Sequence, residues 1–288
     1  MTKEMRYEAY AAAHDAEAGF SDPAARIRPL EGTPLLFKEE QPIARRIIEE
    51  GSLLEQGAMA IASHPLVERF PAPGGSSGGA GVAMASGETI RATGSDIGGS
   101  IRIPASFCGL DGFKPPFGRV PGMAPFNSDT YCADGPMGRS VADVTLLQNV
   151  LPGPHHTDLA SIRPRYELAI PAAAAAVGMR VALCVNLGDF DVDPAVEANA
   201  RATAWAHFGA IMGPFISEIV GANSEMLMPY TLNVSERAAQ SGQHARGLAA
   251  EAASYEPLGK LLEGYDALLC PSPTAQGMAA EPVGPTHR

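Results

Sequence analysis

Two glycine- and serine-rich stretches hold the residues whose types and spacing could do chemistry. The first is PGGSSGGAG, residues 73–81, and the second is GSDIGGSIRIPASFCG, residues 94–109. A flexible linker has no need of a second glycine cluster so soon after the first. A Walker-type phosphate loop requires G-x-x-x-x-G-K-[ST] and a dinucleotide site requires G-x-G-x-x-G after a strand, and neither pattern is present. What remains is a pair of glycine-flanked serines, Ser76 and Ser100. A serine that attacks a carbonyl needs a base, and it needs backbone N–H groups aimed at the oxyanion that develops. The run DIGGS can supply the second requirement. Ile97, Gly98, Gly99 and Ser100 offer successive N–H groups, and the two glycines remove side chains that would block close approach.

The base is the harder requirement, because no histidine lies near either stretch. Lysine is the known substitute in serine–lysine arrangements. An amine accepts a proton only when neutral, so such a lysine must be desolvated and kept away from acids. The chain has four lysines: Lys3, Lys38, Lys114 and Lys260. A lone lysine is ordinarily a solvated surface charge. Lys38 departs from that because it follows the apolar run TPLLF, residues 33–37, which reads as a buried strand. Strand alternation would turn Glu39 to the other side.

The elements that must position these residues alternate between strands and helices, which argues for an α/β fold. Residues 4–20, 80–87, 140–153 and 193–208 read as helices, the last with Pro194 at its first position. HPLVERF, residues 64–70, reads as a helix start. TIRATGSD and SIRIPASF bracket a glycine turn, and residues 179–187 and 265–274 read as strands, the second running into a proline-rich loop. The proline-rich stretch 151–171 is taken as a surface loop within one domain covering 1–288.

Composition narrows the classes of function. The chain has 288 residues, 45% hydrophobic and 18% charged, which suits a globular fold with a sizeable core. A net charge of −11 argues against a nucleic-acid or anionic-membrane partner. Neither a secretion signal nor a membrane span is visible, so a cytoplasmic location is expected. The four cysteines are scattered and read as free thiols. The seven histidines form no ligand pattern, and His155–His156 reads as a solvated pair in LPGPHHTD, so no metal is expected.

Residues 73–121, together with DGPMGRSVADVTLLQNVLPG (134–153) and PLEGTPLLFKEE (29–40), resemble the amidase signature family. Gly51–Ser52 follows Lys38 at the family's spacing. The resemblance implies an α/β fold on a large mixed sheet and hydrolysis of carboxylic amides by a Ser–Ser–Lys triad without a cofactor. It implies Ser100 as nucleophile, Ser76 as the bridging serine on a typically cis peptide, and Lys38 as general base. Ile97, Gly98, Gly99 and Ser100 would frame the oxyanion hole. Ser77 and Ser95 would be supporting hydrogen-bond partners, and Asp96 and Arg102 would pair beside the loop.

Relative to that family the chain reads as shortened, between HPLVERF and PAPGGSSGG, over 205–225 and after YDALLCPSPT. The catalytic core is expected over 29–153, with a shortened part over 154–288. Part of the sheet would then be missing, which favours aggregation or a homodimer. The substrate is expected to be a small-molecule amide. Met123 and Tyr131 in MAPFNSDTYC suggest an apolar or aromatic acyl pocket, although core packing explains them as well. Two other readings stand beside the amidase: an impaired homologue that only binds, and an amidotransferase-type subunit that needs a partner chain.

Overall fold

The computed structural model describes residues 6–48, 57–70, 77–170, 176–184, 194–241 and 244–272. They fall into two compact units, residues 1–172 and 173–288. The first unit contains both the lysine segment and the second glycine cluster. It begins with α1 (Arg6–Ser21), followed by α2 (Ser77–Ala85), β1 (Arg91–Asp96), α3 (Arg102–Phe107), the short β2 (Asp111–Gly112), β3 (Ala133–Gly138) and α4 (Val141–Gln148).

The three strands form one sheet in the order β1-β3-β2, with antiparallel neighbours. A parallel bridge from Leu36 to Ala92 attaches the lysine-bearing segment alongside β1, so the sheet is mixed. The fold is α/β, with small sheets. TPLLF, expected as a strand, contributes only that single bridge. The chain turns immediately afterwards, where the Gln41 N–H donates to the Lys38 carbonyl at 2.8 Å. HPLVERF yields one 3-10 turn, Val67–Arg69, rather than a longer helix, and Phe70 is already extended.

β1 has the sequence RATGSD, which shows no apolar alternation, yet all six residues are buried. Its strand character comes from pairing: six consecutive residues meet β3, from Arg91 opposite Gly138 to Asp96 opposite Ala133. The polar side chains on β1 find partners. Arg91 pairs with Asp143 at 2.6 Å, and Asp143 lies in the first turn of α4, where Ser140 caps its N–H. Pro136 stands in the middle strand opposite Thr93, and its carbonyl accepts from the Phe113 N–H just beyond the end of β2. Ala80 and Met84 of α2, Ala92, Ile101, Ala105 and Met137 form one apolar core. Phe37, Leu66, Val67, Val120, Leu147 and Leu151 form another, which anchors the residue directly before Lys38.

The second unit is mainly helical. α5 (Pro194–Asn223) is much longer than the helix expected over 193–208 and runs through Pro214. It packs against α6 (Pro229–Ser241) and α7 (His244–Leu262), and the close approach of Gly213 to Ala238 and of Gly247 to Ala206 permits these crossings. Arg237 lies over the Trp205 ring, 4.3 Å from its centroid. In the same unit β4 (Val181–Leu183) pairs in parallel with β5 (Ala267–Leu269).

Among the described glycines of the first unit, Gly135 is the most closely confined. A Cβ there would overlap the Phe113 carbonyl oxygen and come within 2.7 Å of Pro115 Cδ. Gly135→Ala is expected to lower stability by about 1–3 kcal/mol through overpacking against backbone that cannot yield. A urea melt of the two proteins tests this, and an unchanged midpoint would contradict the packing described.

Candidate active site

Strand alternation sorts the end of β1 into two functional faces. Thr93 and Ser95 point toward the lysine segment. Lys38 Nζ donates to Ser95 Oγ at 2.7 Å, and Thr93 Oγ1 donates to Gln41 Oε1 at 2.5 Å. Asp96, the last residue of the strand, instead turns its carboxylate into the loop that follows. Oδ1 accepts from the Gly99 N–H at 2.7 Å and from Arg102 Nη2 at 3.0 Å. Oδ2 accepts from the N–H groups of Ile101 and Arg102 at 3.2 and 3.3 Å and from Arg102 Nε at 2.9 Å. Burial pushes the Asp96 carboxyl up, but the Arg102 fork and these N–H groups outweigh it and hold the group below the usual carboxylate range. Lys114 Nζ approaches the same carboxylate at 3.8 Å, and burial lowers its pKa.

The loop shape follows from this grip. Gly99 adopts φ +116°, and a Cβ there would lie 2.6 Å from Ile103 Cδ1, so only glycine fits. Gly98 faces open space, and Ser100 is exposed on the same turn. Of the four N–H groups expected to frame an oxyanion hole, that of Gly99 donates to Asp96. Among the described residues the N–H groups of Ile97, Gly98 and Ser100 have no acceptor.

Lys38 departs from expectation in its surroundings. It was expected to have no acid close by, but Glu40 Oε2 lies 2.6 Å from its Nζ. The turn that ends the lysine segment, closed by the Gln41 N–H on the Lys38 carbonyl, holds Glu40 on the amine's side. Ser76 and the Ser77 side chain lie outside the described residues, as do Gly51 and Ser52; Ser77 itself is the first residue of α2. Met123 is half-buried and Tyr131 is 45% exposed, both on the loop that leads into β3. His155, expected to be solvated, instead contacts Glu68 at 3.0 Å and Thr157 at 2.8 Å, with His156 packed on its ring. Among the described residues no group of three or more His, Cys, Asp or Glu could hold a metal ion, and no helix is long and apolar enough to cross a membrane.

Sequence reasoning missed a buried polar cluster behind Lys38. Gln41 Nε2 donates to Asp134 Oδ1 at 2.5 Å, and His64 Nε2 lies 3.5 Å from Asp134 Oδ2. His64 Nδ1 accepts the Leu66 N–H at 3.2 Å, so in the neutral ring the proton sits on Nε2, facing Asp134. Burial pushes the Asp134 carboxyl up to about 7, opposed by the Gln41 hydrogen bond and the Lys38 charge. Burial pushes His64 down to about 4, opposed chiefly by Glu40. The nearby Cys132 thiol is raised by burial to about 12 and is an inert thiol at neutral pH.

The amidase family's sequence profile matches residues 51–206, more than half of the chain. A glutamyl-tRNA(Gln) amidotransferase subunit from Synechococcus sp. (strain CC9605) is 41% identical over 140 residues, 46% of this chain and 28% of that protein. The corresponding protein of Deinococcus radiodurans is 38% identical over 172 residues, 59% of this chain and 34% of that protein. The chain thus spans about a third or less of the length of these relatives. Among solved structures, an inhibitor-bound protein from a vestigial complex related to an s-triazine catabolic enzyme superposes with a TM-score of 0.80 at 22% identity, covering 94% of this chain and 73% of that one. A bacterial aryl acylamidase of the amidase signature family gives 0.76 at 21% identity, covering 93% and 71%. These two likenesses establish the fold.

The buried pair makes a pH prediction. Asp134 titrates higher in the folded chain than in the unfolded one, so its contribution to stability is lost as pH rises from about 4 to 7. His64 titrates lower when folded, so its contribution is lost as pH falls from 6.5 to about 4. Between those limits the two slopes oppose each other. Relative to the parent, Asp134→Asn should therefore become less stable on going from about pH 6.5 to about pH 4.5, and His64→Gln should do the reverse. Urea midpoints at the two pH values measure this, and identical pH dependence in both variants would contradict the assignment.

Proposed function

This chain belongs to the amidase family, and from that premise we propose that it cleaves a small carboxylic acid amide through a serine acyl-enzyme. The observation that carries the reading is the hydrogen bond from the Lys38 amine to Ser95, five residues before Ser100. Lys38 Nζ meets Ser95 at the end of β1, and the next residues form the Asp96-gripped turn that exposes Ser100. In this reading Ser100 Oγ attacks the amide carbonyl carbon, and its proton passes by way of Ser76 to Lys38. Lys38 accepts that proton only once its amine is neutral, so the Glu40 contact must open first. The N–H groups of Ile97, Gly98 and Ser100 receive the oxyanion, a form of stabilisation in which each donor is worth about 3 kcal/mol.

Collapse of the tetrahedral intermediate breaks the C–N bond as the Lys38 ammonium returns the proton to the leaving nitrogen. Water then attacks the Ser100 ester, Lys38 takes its proton, and the acid leaves as Ser100 regains its hydrogen. Ser95 steadies the amine throughout. Met123 and Tyr131 are proposed to border the acyl side of the substrate. We place the reaction in the cytoplasm, in a chain able to associate with a second copy.

The curated relatives favour a second reading of the same chemistry. Those named above are amidotransferase subunits, so the chain could release ammonia for a partner rather than act alone. The amide-cleaving residues would be the same in both readings.

Incubation with a fluorophosphonate probe and peptide mapping by mass spectrometry tests the nucleophile. One adduct on Ser100 is expected, and Ser100→Ala should abolish labelling while leaving the unfolding free energy within about 0.5 kcal/mol of the parent, since this residue is exposed. Labelling undiminished in Ser100→Ala, or mapped to Cys108, would overturn the assignment.

A further inference from the structure

The position of Lys38 depends on a residue that belongs to no motif. Gln41 is 2% exposed, and its amide has four partners. Oε1 accepts the backbone N–H of Lys38 at 3.2 Å and the Thr93 hydroxyl at 2.5 Å. Nε2 donates to the Gly94 carbonyl at 3.3 Å and to Asp134 Oδ1 at 2.5 Å. This pattern fixes the orientation of the amide, because the Lys38 N–H demands an acceptor and the Gly94 carbonyl demands a donor. One side chain thereby fastens the lysine turn to β1 at two adjacent residues and to β3 at a third.

We propose that Gln41 is the positioning residue for the catalytic amine, clamping the Lys38 backbone to both strands so that Nζ meets Ser95 and the serine relay. The inference rests on the reading of Lys38 as general base. The geometry gives the clamp its purpose. The amine stands at the end of a long stem with four rotatable bonds, and the Lys38–Gln41 segment is a turn rather than a strand, so it has no ladder to hold it. Leu36 makes the last backbone bridge to β1, and Phe37 packs into an apolar core. Beyond those two residues, the Gln41 amide ties the turn to β1 and β3, beside the bond from Lys38 Nζ to Ser95. Asp134 holds the far side of the amide, with His64 facing its other oxygen. Gln41 itself touches neither Ser95 nor the loop at 97–100 among the contacts of its amide, so its effect reaches the reaction only through Lys38.

Two variants test the clamp at different strengths. Gln41→Met keeps the side-chain length and loses all four bonds. Thr93→Val removes one bond to Oε1 with little change of shape, and Thr93→Ser restores the hydroxyl. Hydrolysis of p-nitroacetanilide is measured for each, beside Lys38→Ala. Displacement of a catalytic group by about 1 Å costs on the order of a hundredfold in rate, so Gln41→Met should lose that much kcat with KM nearly unchanged. Thr93→Val should lose about tenfold, the equivalent of one hydrogen bond, and Thr93→Ser should recover it.

If Gln41→Met and Thr93→Val keep the parent kcat while Lys38→Ala loses it, the clamp is refuted and the base assignment stands. If Lys38→Ala itself keeps the parent rate, the base assignment fails and the clamp's catalytic role with it. Hydrogen exchange at the Lys38 amide gives a reading independent of turnover. It should be slow in the parent and in Thr93→Ser, and faster in Thr93→Val. Equal exchange in all three would overturn the proposal even if p-nitroacetanilide is not a substrate.

Discussion

The Asp96 carboxylate has no solvent exposure and yet remains ionised, and the reactive end of the first unit is organised around that fact. A buried charge is tolerated only if nearly every lone pair is satisfied. Here the donors are a forked arginine and three backbone N–H groups, all from the six residues that follow. Satisfying the charge therefore dictates the path of the chain. The loop must curl back over the carboxylate, Gly99 must take up a backbone angle that other residues avoid, and Ser100 is left on the outside of the turn. The N–H groups that Asp96 does not use are those of Ile97, Gly98 and Ser100. One electrostatic requirement thus both shapes the turn and, among the described residues, leaves three of its N–H groups without an acceptor.

The opposite face of β1 meets a second requirement. Thr93 and Ser95 are polar residues on a fully buried strand, and each must find a partner. They find it in the lysine segment, through Gln41 and Lys38. The strand thereby holds the Lys38 amine against Ser95, 57 positions away in the sequence. Glu40 lies against the same amine and sets a further condition, since its ion pair must be exchanged for the amine to act as a base.

What the sequence made legible was the chemistry with local signatures. The glycines and serines of DIGGS are a short-range pattern with a direct physical reading, and the resemblance to the amidase signature family implied the Asp96–Arg102 pair. Lys38 stood out because an apolar run precedes it. Gln41, His64 and Asp134 did not stand out, because their relation is made only by folding: Gln41 and Asp134 are 93 positions apart in the chain. A glutamine in a loop has no period or motif to mark it. TPLLF misled because an apolar run of that length cannot reveal that the chain turns at Lys38. α5 runs on through Gly213–Pro214, well past the helix expected over 193–208, and Gly213 permits its close crossing with α6.

The most direct test of the account is a crystal structure of the chain carrying a phosphonate on its reactive serine. The phosphorus should be bonded to Ser100 Oγ, with the phosphonyl oxygen accepting from the N–H groups of Ile97, Gly98 and Ser100, while the Gly99 N–H stays on Asp96 and the Lys38 amine stays beside Ser95. A phosphonyl oxygen turned to solvent, or an Asp96 carboxylate that has released Gly99, would contradict the claim that the buried charge prepares this loop for catalysis.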